Sequence, residues 1–227
     1  MWNRKDLKAR GKAAFKNNYW MSVVAALILS AVIAGVTAYV SVSTGGSAME
    51  NVSAAAESIA AGIGGFSVLA FLINIFVCKP LEIGGRWFFL NNSEGRGDIN
   101  DFKHGFEANY LNNVLTMFLR DLFITLWSLL LFVPGVVKMY AYSLVPYILA
   151  EHPEMSGTEA IQLSEKMMKG HKWNAFVLDL SFMGWTILSV LTFGIVGFFY
   201  TNPYASATDA ELYKAIKADY EAKTAVA

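Results

Sequence analysis

Long apolar stretches separated by short polar ones dominate the chain. Residues 21–42 carry no charge, and residues 65–90 stay apolar until Lys79, Glu82 and Arg86. Residues 114–133 follow, interrupted by Arg120 and Asp121. After the turn signal Pro134-Gly135 comes 136–150, with Lys138 near its start. Residues 176–192 carry one charge, Asp179, and 194–207 form a weaker segment that contains Pro203. A helix needs about 20 mostly apolar residues to cross a bilayer. The pattern therefore predicts an all-α fold, a polytopic transmembrane helical bundle of about six spans arranged as three hairpins. It forms a single integral-membrane domain, with a cytoplasmic interfacial helix over residues 1–20 and a cytoplasmic tail over 208–227.

The polar stretches between these segments repeat a pattern. Asn3-x-x-Asp6, Asp98-x-x-Asp101 and Ser156-x-x-Glu159 are three helix-start signals. Each pairs a capping side chain with a carboxylate in the positive first turn, and Ser156 with Glu159 reads as a full capping box. Amphipathic runs follow: Leu7, Ala14 and Phe15; Ile99, Phe102 and Phe106; Ala160, Ile161, Leu163, Met167 and Met168. Each run ends in polar and aromatic residues suited to a membrane interface: Asn17-Asn18-Tyr19-Trp20, Asn109-Tyr110 and His171-Lys172-Trp173. The returning segments carry Pro80-Leu81, Pro146-Tyr147 and Pro203-Tyr204. Two readings stand: a pseudo-threefold bundle around a central site, or the common needs of any inside-to-outside hairpin.

Charge fixes the expected orientation. Of 18 basic residues, 15 fall in four regions: the first 16 residues, Arg86–Asn112, Glu151–Lys172 and the C-terminal tail. Residues 43–64 hold none. Six crossings place all four basic regions and both termini in the cytoplasm of a plasma-membrane protein. The basic start resembles a secretory signal, but the apolar run 21–42 exceeds the roughly 7–15 residues of a signal core, and a retained first span is expected. The tract 47–61 reads as a surface helix outside the membrane.

Composition narrows the function classes. The chain is 55% hydrophobic and 16% charged, with 18 basic and 18 acidic residues, so no net field favours nucleic acid. The single Cys78 excludes an internal disulfide. His104, His152 and His171 lie outside the segments at no metal-ligand spacing, and no nucleotide or hydrolase motif occurs. No cofactor, no metal and no enzymatic activity are expected. The partners expected are the lipid bilayer and either a second copy or another membrane protein.

Polar groups inside apolar segments are the candidate site, because burying each costs at least about 2.5 kcal/mol on insertion scales. They are Lys79, Glu82, Arg86, Arg120, Asp121 and Asp179. The expected pairs are Arg120 with Asp179, Lys79 with Asp121, and Glu82 with Arg86 four residues on; Lys138 is expected to snorkel at the outer interface. Such a set either holds an ion, a proton or a lipid headgroup, or fixes helix register. Ser22, Ala26, Ser30, Ala34 and Ala38 form a small-residue stripe for close helix packing, within the chain or between copies.

Several runs resemble a bacterial membrane family, domain of unknown function 975. They are Arg4, Asp6, Leu7, Lys8, Gly11 and Lys12 with Asn18-Tyr19-Trp20; the run Leu126–Gly135 with Lys138 and Tyr140-Ala141-Tyr142; Pro146–Ala150; Glu159-Ala160-Ile161 with Met168-Lys169-Gly170; Leu180–Trp185; Gly194-Ile195; Pro203-Tyr204; and Glu211-Leu212-Tyr213. The resemblance takes in nearly the whole chain and implies a polytopic plasma-membrane protein. It brings no activity or ligand. A structural, regulatory or partner role in the envelope is expected first. A small transporter or channel using the intramembrane charges is the alternative, and an intramembrane enzyme acting on lipid is a weaker one.

Overall fold

The computed structural model describes residues 2–30, 71–107 and 109–225. These residues are helical with no strand among them. Ala34, Ala38, the end of the first apolar segment, and the 47–61 tract lie outside them.

The order of elements is three times the same. In the first unit, α1 (Arg4–Asn17) starts because the Asn3 side chain accepts from the Lys5 N–H at 2.9 Å. It carries Asp6 in its first turn and Lys16 in its last, and buries Leu7, Gly11, Ala14 and Phe15. After Asn18, α2 (Tyr19–Ser30) leaves, and the chain returns through a π-helical turn, Asn74–Cys78, into α3 (Lys79–Ser93). The second unit opens with the 3-10 turn Ile99–Lys103 and α4 (His104–Glu107). Asp98 caps it and Asp101 reaches back to the Asp98 N–H at 3.0 Å, a second capping box. Outgoing α5 (Tyr110–Leu130) is followed by α6 (Phe132–Ala141) and α7 (Val145–Glu151). The third unit has α8 (Gly157–Met167) with the Ser156–Glu159 box, then α9 (Lys172–Leu180) and α10 (Met183–Leu191). A second π-helical turn, Gly197–Thr201, leads into α11 (Asn202–Thr224).

The capped helices close the units into a ring. α1 packs on α11 of the third unit, α4 and its 3-10 turn pack on α3 of the first, and α8 packs on α7 of the second. Two of these contacts require glycine. A Cβ at Gly11 would stand 2.8 Å from the Thr208 backbone, and one at Gly105 would stand 1.9 Å from the Pro80 carbonyl oxygen. α8 is also tied to the end of α6, where the Ser164 hydroxyl donates to the Ala141 carbonyl at 2.7 Å.

Each return helix has its proline in the first turn of α3, α7 or α11. Proline removes the N–H that would serve the carbonyl four residues earlier. Two of those carbonyls are served by the interfacial tyrosine of a neighbouring unit. The Tyr110 hydroxyl donates to the Phe76 carbonyl at 2.7 Å, and the Tyr19 hydroxyl donates to Phe199 at 3.2 Å. The third, Tyr142, accepts from the Val145 N–H at 3.3 Å inside the turn between α6 and α7.

Among the described residues three helical stretches are long and apolar enough to cross a membrane: Tyr110–Leu130, Val133–Glu151 and Lys172–Leu191. They correspond to the third, fourth and fifth predicted segments, and the fourth is longer than 136–150 because Pro134 enters its first turn. Among the described residues the other three segments do not meet that standard. α2 is a short apolar helix, α3 is charged and largely buried, and the sixth segment passes through the second π turn into the charged α11. Residues 208–224 are no loose tail. They continue α11 and bury Ala210, Leu212, Tyr213 and Ile216 in the core.

Gly105→Ala should lower stability by about 1–3 kcal/mol, because a helix backbone must shift, read as a fall in thermal midpoint in detergent. Tyr110→Phe should cost about 1 kcal/mol through the orphaned Phe76 carbonyl. An unchanged midpoint for Gly105→Ala would refute the close approach.

Candidate functional site

The helix-interior charges divide into two groups. Lys79 and Glu82 lie on one face of α3, against Arg120 and Asp121 of α5. Lys79 pairs with Asp121 and lies 3.9 Å from Glu82. Arg120 reaches Glu82 at 3.3 Å and its own neighbour Asp121 at 2.8 Å. Two cations and two carboxylates thus close on one another, and the Arg120 side chain is only 11% exposed.

The second group forms where the three return helices meet. Arg86 on α3 lies 3.5 Å from Asp209 on α11. Its guanidinium donates to the Tyr147 hydroxyl on α7 at 3.3 Å and stands over that ring. The Tyr147 ring stacks on Tyr213 of α11 with centroids 4.9 Å apart. Tyr213 donates to Glu151 at 2.7 Å, and Lys217 also reaches Glu151. Beside this junction lies a cavity of about 110 Å³ lined by Arg86, Tyr140, Ser143, Tyr147, Asp179 and Asp209, among others. Asp179, on α9, accepts from the Tyr140 hydroxyl at 2.7 Å.

Asp209 lies just beyond the last apolar segment. Desolvation by the packed helices pushes its carboxyl up from 3.8 to about 7, with Arg86 opposing and Asp179 adding to the rise.

Several expected pairings are corrected. Asp179 partners Tyr140, not Arg120. Glu82 turns to Arg120 and Lys79, and Arg86 turns to Asp209, so these two form no ion pair. Lys138 does not snorkel alone: it pairs with Glu165 of α8 at 2.7 Å and stands over the Trp127 and Tyr142 rings. Ser22 and Ala26 are buried inside the chain, Ser22 against Asn92, and Ser30 accepts from Asn202 at 3.0 Å.

The sequence reading passed over Asp209, Tyr140 and Tyr147. A signal existed: Arg86, His152 and Asp209 each lie six residues after the return-helix proline. Among the described residues no group of three or more His, Cys, Asp or Glu side chains is placed to hold a metal ion.

One comparison bears on these residues. Residues 129–220 match the model of the family described as protein of unknown function, DUF975. The match is narrower than the resemblance read from the sequence. It starts at the end of α5 and runs into α11, so the matched stretch holds Tyr140, Asp179 and Asp209 but not Arg86 or the Lys79–Arg120 cluster. No curated protein and no solved structure matches the chain.

Breaking the first cluster one-sidedly should be costly. Lys79→Met should destabilise by about 3 kcal/mol, and adding Asp121→Leu should recover most of that, because the isolated charge and not the lost pair sets the cost. Equal midpoints for the single and double variants would refute this. The Asp209 carboxyl is protonated more readily in the folded chain than in the unfolded one, so its contribution is complete below about pH 4 and is lost as pH rises through about 7. The thermal midpoint should fall across that window, and less steeply for Asp209→Asn.

Proposed function

We propose that this chain is a multi-pass bacterial plasma-membrane protein without an enzymatic role, acting as a structural, regulatory or partner subunit in the envelope. In this reading its six segments form three hairpins, and both termini and the three capped helices lie on the cytoplasmic side.

The observation that carries the reading is apolar surface left uncovered. Leu129, Val190, Leu191 and Phe193 are 80%, 74%, 72% and 97% exposed, and the exposed apolar faces of α2, α5 and α10 extend this belt. Water tolerates no such continuous surface on a monomer, and its presence marks contact with lipid or protein. Trp20 and Trp173 stand exposed at the starts of α2 and α9, where an aromatic belt would lie. Closure of Lys79, Glu82, Arg120 and Asp121 into pairs agrees with a load-carrying bundle more than with an open ion path.

A second reading, transport of a small solute, is favoured by one observation. The cavity beside Arg86 and Asp179 lies among helices from all three units.

The protein should remain in the membrane pellet after alkaline carbonate washing. In a Cys78→Ala background, Lys5→Cys and Lys223→Cys should resist an impermeant maleimide in intact cells and react after permeabilisation. Labelling of either from outside would overturn the topology.

A further inference from the structure

We propose that the cavity between Tyr140, Asp179 and Asp209 is a binding site for one small monovalent cation, an alkali ion or a primary ammonium group. The argument rests on the bilayer placement above and begins from charge balance. Counted with the partners they reach, the segment charges are four cations, Lys79, Arg86, Arg120 and Lys138, against five carboxylates, Glu82, Asp121, Asp179, Asp209 and Glu165. Lys79 and Arg120 pair with Glu82 and Asp121, Arg86 with Asp209, and Lys138 with Glu165. Asp179 is the remainder. It makes no ion pair among the described residues, and its hydrogen bond comes from a neutral hydroxyl, Tyr140.

Its depth makes that remainder costly. Asp179 lies six residues past the exposed Trp173, about 9 Å further along the helix at 1.5 Å per residue. An uncompensated carboxylate at that depth faces either lipid or a small cavity, and both disfavour it by several kcal/mol. The cavity supplies what a cation needs. Asp179 and Asp209 contribute carboxylate oxygens, and Tyr140 and Ser143 contribute hydroxyl oxygens. The Ser143 hydroxyl already donates to the Tyr140 carbonyl at 2.9 Å, which leaves its oxygen lone pairs to act as acceptors. The lining lacks a cluster of three acidic groups, which sets the site apart from a divalent-metal cage. Arg86, which lines the same cavity and pairs with Asp209, limits the occupant to a single positive charge.

Protons compete for the same oxygens. The groups facing the two carboxylates are Arg86 on α3, Tyr140 on α6 and Tyr147 on α7, with Asp179 on α9 facing Asp209 on α11. Among the described residues no lysine or histidine lines the cavity, so acidification should empty it as Asp209 takes up its proton.

The test uses the full chain in lipid nanodiscs at constant ionic strength, with N-methylglucamine as the inert cation. Titration calorimetry with sodium, potassium and methylammonium chlorides should show at least one saturable site, with a Kd of about 10 mM or tighter. Which salt binds separates an alkali site from an ammonium site. Affinity should weaken at least about tenfold between pH 8 and pH 5.5 as the carboxylates take up protons. Asp179→Asn should abolish binding, Tyr140→Phe should weaken it several-fold, and Glu165→Gln, away from the cavity, should leave it unchanged. Absence of saturable binding for all three salts to the wild-type chain overturns the proposal, as does undiminished binding by folded Asp179→Asn. Carbonate extraction of the same preparations reports the bilayer placement separately.

Discussion

Carbonyl oxygens stripped of their helical partners by three prolines constrain everything else in this fold. In water such an oxygen would be hydrated at little cost. Within an apolar bundle it must find a donor or forfeit several kcal/mol. Pro80 and Pro203 release the carbonyls of Phe76 and Phe199, and each lies in a π-helical turn that widens the helix there. The donors are Tyr110 and Tyr19, from the starts of other units. A helix that cannot satisfy itself thereby becomes dependent on a neighbour, and the dependence runs in one direction around the ring. The third unit has Lys172 and Trp173 where the others have tyrosine. The second return helix meets its need locally instead, by a tight turn at 142–144.

The same kinks aim the polar residues. Beyond each proline the return helix is regular and points its inner end at the other two. Arg86, Tyr147 and Asp209 come together there although they lie on three different helices. The capped helices hold this geometry from outside, with Gly11 and Gly105 allowing backbone-close contact. The charges on α3 then have two destinations one turn apart: Glu82 faces α5 and Arg86 faces α11. That four-residue spacing, read as an intrahelical pair, is instead a division between two neighbours.

The caps, prolines and interfacial aromatics were legible because each acts within a few residues of its own position. Asn3, Asp98 and Ser156 cap whatever packs later. Pairing partners were not legible, because they depend on helix rotation. Each residue turns the helix by 100°, and each π turn adds a residue that shifts everything beyond it. Asp179 was matched to Arg120 on sign alone, but α9 turns it toward Tyr140 on α6. Lys138 follows the Pro134 turn and is expected at the outer interface, but Glu165 of α8 meets it at 2.7 Å. Asp209 was passed over because basic residues nearby, Lys214 and Lys217, mark a loop or tail by composition. In the folded chain those lysines reach Ser93, Glu211 and Glu151 along a buried helix.

The two charged groups differ in what ring closure does for them. The Lys79–Asp121 and Arg120–Glu82 pairs need only α3 and α5, elements of two consecutive units, and they would form in any arrangement that kept those helices side by side. The Arg86–Asp209–Asp179 group needs all three units at once: a cation from the first, the Tyr140 and Tyr147 hydroxyls from the second, and two carboxylates from the third. Its oxygens converge only when α1 has docked on α11 and α4 on α3. A ligand neutralising the leftover carboxylate would therefore favour the closed ring over any opened form, since the opened form has no such site to fill. Binding and assembly of the bundle would then be one equilibrium, and the excess negative charge is what links them.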